Sequence, residues 1–107
     1  MFKDRARRFE AEYSYREALK FRIEAIRDRQ FGHWAAAQLG LTNQAADAYA
    51  QTIIRHNLEF PRAEAGLRKV IRDFAAAGQT MTEDEIRAKM IAYHEQAIHD
   101  LSKSAAA

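Results

Sequence analysis

The chain has 107 residues, 48% hydrophobic and 30% charged, with a net charge of +2. That is one domain's length, and the composition is that of a globular chain rather than a disordered one. The absence of cysteine excludes disulfides, thiolate catalysis and cysteine-ligated metal centres. One proline and four glycines among abundant Ala, Arg, Glu and Gln point to an all-α fold. The opening residues, MFKDRARRFE, lack the apolar stretch of a secretory signal, and no run approaches the about 18 apolar residues of a membrane span. A cytoplasmic location without membrane insertion is expected.

Residues 3–39 hold no proline and one internal glycine, Gly32, and predict one long helix with a bend there. Residues 1–30 carry nine basic and six acidic side chains, against eight and nine in the rest, and seven of the eleven aromatics lie by Trp34. Two apolar stripes run along this helix. One is Phe2, Ala6, Phe9 and Tyr13; the other is Tyr15, Leu19, Ile23, Ile26 and Trp34. At about 100° per residue, Phe9 and Tyr15 are roughly 120° apart. The second stripe suits the protein's own core. The first, at the start of the chain, suits a partner's groove, the helix-in-groove mode of recognition.

Gly40 suits a helix end, and Thr42 or Asn43 a following N-cap. The second helix is expected to turn Ala45, Ala46, Tyr49, Ile53 and Phe60 inward before Pro61 stops it. A third covers about 63–77, with Leu67, Val70, Ile71 and Phe74 on one face; Gly66 makes its start uncertain, and Gly78 closes it. Thr82 and Glu85 form a capping box for a fourth helix, which runs to about Ser102 with Ile86, Met90, Tyr93, Ala97 and Leu101 inward. The whole reads as a four-helix bundle-like domain with a long N-terminal helix that extends beyond the core.

Few residues suggest chemistry. His33, His56, His94 and His99 lack the spacing that presents two metal ligands on one helix face, apart from Glu95 with His99, for which no third ligand is evident. Glu83, Asp84 and Glu85 complement the start of a helix. No nucleophile–base constellation or phosphate loop is present, so an enzyme is not expected. The acids interleaved in the basic segment argue against nucleic acid, and pairs such as Glu12–Arg16 and Arg7–Glu10 can neutralise that face. Arg27, Asp28, Arg29 and Trp34, with Arg87 and Lys89 of the fourth helix, suggest a small anion or nucleotide pocket; a core tryptophan beside ordinary surface arginines is the favoured alternative.

The run FKDRARRFEAEYSYREALKFRIEAIRDRQFGHWAAAQLGL resembles the zeta subunit family of the alphaproteobacterial F-type ATP synthase, and AADAYA, LRKVIRDFAAAG and EDEIRAKM follow in the same order. The resemblance covers about residues 2–101. It implies a four-helix regulatory subunit that inhibits ATP hydrolysis by the catalytic head. The N-terminal helix would insert at an interface between an alpha and a beta subunit, near gamma, and block rotation. Residues 1–18 would then be the inhibitory segment, whether or not ordered when free. Residues 19–102 would be the helical domain and 103–107 a frayed tail. Carried onto this sequence, the contacting positions are Phe2, Lys3, Asp4, Arg5, Arg8, Phe9, Glu10, Tyr13 and Ser14, with the aromatics as anchors. The location implied is cytoplasmic, peripheral to the inner membrane through the synthase. No cofactor is required; weak ATP or ADP binding is a further implication, for which Arg27, Trp34, Arg87 and Lys89 are the expected residues. The alternative function is a small helical adenine-nucleotide-binding sensor.

Overall fold

The computed structural model describes residues 2–106, with side chains from Arg5 to Ser104. Four α-helices follow in order: α1 (Phe2–Gln38), α2 (Asn43–Glu59), α3 (Ala65–Ala76) and α4 (Glu83–Ala106), with a single 3-10 turn, Pro61–Ala63, before α3. No strand occurs among the described residues. The all-α, four-helix architecture is therefore as the sequence indicates. α4 runs past the expected end near Ser102, although Ser102, Lys103 and Ser104 are exposed.

The connections follow from local chemistry. Gly40 and Gly78 take φ of +79° and +76°, and the amides of Leu41 and Gln79 reach back to the carbonyls of Ala36 and Phe74. Both helix ends are thus closed by the left-handed glycine turn, which gives partners to carbonyls of the last turn. Thr82 accepts from the Glu85 amide at 3.1 Å, as the capping box predicts. Thr42 occupies the N-cap of α2 but its hydroxyl makes no capping bond. The Gly66 amide, in the first turn of α3, donates to Asn57 Oδ1 at 2.7 Å. That bond to α2 offsets the poor helix propensity of glycine.

All four helices feed one core: Phe31 and Ala35 of α1, Ile53 of α2, Leu67, Val70 and Phe74 of α3, and Ile86 of α4. Trp34 is half-buried at its edge, stacked on Phe31 at 5.7 Å and tilted against Phe74 at 5.6 Å. Gly32 meets α2 at Ala50. On another side of α1, Trp34 lies under Lys89 and Arg27 reaches His94, so α1 and α4 run antiparallel. Flanked by two helices, α1 buries Asp28, Phe31, Gly32, Ala35 and Ala36 rather than one narrow stripe.

Three positions expected inward are exposed. Tyr15 (69% exposed) precedes Glu17, the first half-buried residue among those of α1 whose side chains are described. Phe60 (59%) follows the end of α2 in a non-helical conformation, so the helical phase no longer directs it to the core. Ala45 lies in the first turn of α2, off the face that Ala50 and Ile53 bury. The molecule measures 62 Å along its longest axis against 32 and 26 Å, because the start of α1 projects beyond the domain.

Candidate partner-binding surface

Residues 5–16 are exposed without exception, yet they continue the helix that is buried at Phe31. Ala, Arg and Glu dominate this segment, so the sequence supports a helix by propensity where packing supplies nothing. Phe9 is 72% and Tyr13 60% exposed. Arg5, Arg8, Glu10 and Ser14 surround them in solvent. Phe2, Lys3 and Asp4, the other expected contacts, lie outside the residues whose side chains are described. Neither Glu12–Arg16 nor Arg7–Glu10 forms an ion pair, so among the described residues this face is not self-neutralised by those contacts.

One contributor was not legible in the stripes. Phe21 is 60% exposed and lies eight residues after Tyr13. Phe9, Tyr13, Glu17, Phe21 and Ala25 follow at steps of four, which on an α-helix makes one slowly winding ridge. Three of its members are exposed aromatics. An exposed apolar row of this kind, with charged neighbours, is a candidate surface for contact with another protein.

The four residues expected to hold a nucleotide do not converge. Arg27 and Arg87 line one cleft of about 310 Å³, with Met90, Ile91 and His94. Both are engaged: Arg27 with Asp28 at 2.9 Å and with His94 at 3.2 Å, Arg87 with Glu64. Trp34 opens instead on a separate depression beside Arg29, His33 and Tyr93, and Lys89 stands over its ring at 5.6 Å. The histidines are dispersed as well. His56 Nδ1 donates to the Thr52 carbonyl at 2.8 Å, His33 lies 3.7 Å from Asp47, and His99 is exposed. Among the described residues no group of three or more His, Cys, Asp or Glu could hold a metal ion. No described helix is long and apolar enough to cross a membrane.

Polar interactions inside the domain are structural. Tyr49 donates to Asp73 at 2.8 Å and Lys69 reaches the same oxygen at 2.8 Å, joining α2 to α3. Burial and the Asp73 carboxylate raise the Tyr49 pKa well above its ordinary value. Burial pushes Asp73 up, but Lys69, Tyr49 and Arg72 together outweigh it, so the carboxyl stands below its usual range. Asp28, only 5% exposed, moves the other way: burial raises it against the pull of Arg27 and Asn57.

The fold is that of a small helical module whose candidate contact surface is a projecting helix with exposed aromatic side chains. The sequence places it further: a family model for ATPase inhibitor subunit zeta matches residues 1–100, and the chain belongs to that family. Its members are inhibitor subunits, a non-catalytic class acting on the F-type ATP synthase. No curated protein matches the chain.

Proposed function

We propose that the protein inhibits ATP hydrolysis by the F-type ATP synthase by inserting the start of α1 at a catalytic interface between an alpha and a beta subunit, close to gamma, and so stopping rotation. Residues 1–18 form the inhibitory segment, and residues 19–102 the domain that carries it. The observation that supports this is the exposed pair Phe9 and Tyr13 on a projecting helix. Burying each such ring contributes about 1.5–3 kcal/mol toward the contact. The segment continues without a break into a helix held by the core, so a load applied at its tip reaches the domain along a hydrogen-bonded rod. Binding one catalytic state and not the next is the differential affinity that arrests a cycle. The role requires no cofactor and places the protein in the cytoplasm, at the membrane surface only through its partner.

The test is ATP hydrolysis by the purified catalytic head of the same cell, titrated with the full chain and with a chain lacking residues 2–14. Inhibition by the first and not the second is the expected result. If neither inhibits an active head while both are folded, the reading fails.

A further inference from the structure

The aromatic ridge of α1 does not end in the overhang. Its last members, Phe21 and Ala25, form one wall of a pocket of about 250 Å³ where α1 meets α2 and the turn before α3. The mouth is apolar and open: Phe21 is 60% and Leu58 69% exposed, with Pro61 beside them. Three carboxylates are among its lining residues, Asp28 (buried), Glu24 (half-buried) and Glu64 (exposed), and Arg27 is the one cation. Arg27 already serves Asp28 and His94, and Glu64 is paired with Arg87. Glu24 has no cation within ion-pair distance among the described residues.

We infer that this pocket is a second docking point for the protein that takes up the start of α1, and that it receives a lysine or arginine side chain of that partner. The inference rests on the inhibitory reading above. A long basic side chain is apolar along its stem and charged at its tip. Phe21 and Leu58 match the stem at the mouth, and Glu24, which has no cation of its own, matches the head. The ridge supplies continuity: a partner that covers Phe9 and Tyr13 and follows the same row of side chains arrives at Phe21. Uncovered, the mouth leaves two large apolar side chains in water and Glu24 without a counter-charge.

The experiment uses the full chain and the catalytic head, with binding measured at two salt concentrations. Glu24→Gln keeps the shape and removes the charge; the expected loss of affinity is about three- to tenfold, with a shallower salt dependence than the parent. Leu58→Gln, a neutral polar change at an exposed position, removes the apolar contact at the mouth and is expected to weaken binding by about three- to tenfold. Asp47→Asn, in the first half of α2 and outside the pocket, should leave affinity unchanged. Thermal unfolding of each variant confirms that the domain is intact. If the parent binds and both pocket variants bind equally well with unchanged salt dependence, the docking point is refuted while the inhibitory reading stands. If the parent does not bind the head, that reading fails and the docking point falls with it.

Discussion

A Cβ on Gly32 would lie 2.8 Å from the Cα of Ala50, so α1 and α2 cross there nearly backbone to backbone. The obstacle is main chain, which cannot swing aside as a side-chain tip would. Gly32→Ala gains up to about 1 kcal/mol in helix propensity. It is nevertheless expected to destabilise the domain by about 1–3 kcal/mol through overpacking. Denaturant unfolding of the two chains measures the balance, and a variant more stable than the parent would contradict the crossing.

Asp73 holds α3 to α2 through Tyr49, with Lys69 of its own helix on the same oxygen. Its carboxyl is depressed in the folded state, so the unfolded chain binds the proton more readily. The stabilisation is therefore present above the unfolded carboxylate range, near pH 4, and is lost as pH falls through the lower folded value. Asp73→Asn should remove that part of the acid sensitivity, and Tyr49→Phe should reduce it. Melting temperatures followed from pH 6 down to pH 2 test both.

Asp28 has the opposite sign. Burial raises its carboxyl above the ordinary value, so the folded state prefers it protonated. Its favourable contribution is complete below the unfolded value near pH 4 and is lost as pH rises through the higher folded one. Asp28→Asn imitates the neutral form. It is expected to leave the domain at least as stable as the parent at pH 7, with any advantage fading at pH 3. A large loss of stability at pH 7 would mean that the Arg27–Asp28 pair outweighs desolvation.

Phe9 and Phe31 sit on the same helix under opposite demands. Phe31→Ala, in the core, should cost about 3–5 kcal/mol of folding stability. Phe9→Ala and Tyr13→Ala should leave the melting temperature within a degree or so, since neither ring is buried, yet reduce inhibition by about 10- to 100-fold, as loss of an anchor at an interface does. Parallel melting and ATPase titrations of the three variants separate the roles.

The helix ends were readable because glycine, threonine and glutamate act locally: Gly40, Gly78 and the Thr82–Glu85 box need no knowledge of the rest of the chain. Phe9 and Tyr13 were readable as a stripe that the second stripe could not share. Phe31 and Asp28 were not, because α1 is covered from two directions and its buried arc is wider than any single apolar row. Gly66 looked like a weak helix start, since its compensation comes from Asn57, nine residues away. Phe21 escaped notice because it falls between the two stripes, and its exposure depends on how α2 and the Pro61 turn pack. The residues named for a nucleotide divide between two depressions, Arg27 and Arg87 lining one and Trp34 another, a separation that spacing along the chain does not reveal.

The projecting start of α1 has one more consequence. Because residues 5–15 bury nothing, substitutions there escape the requirement that constrains a core, namely that each change suit its neighbours. If these residues carry the inhibition proposed above, its strength can drift, sharpen or vanish between related chains while the scaffold stays unaltered. A chimaera that exchanges only these first residues should inherit its potency from one parent and its melting behaviour from the other.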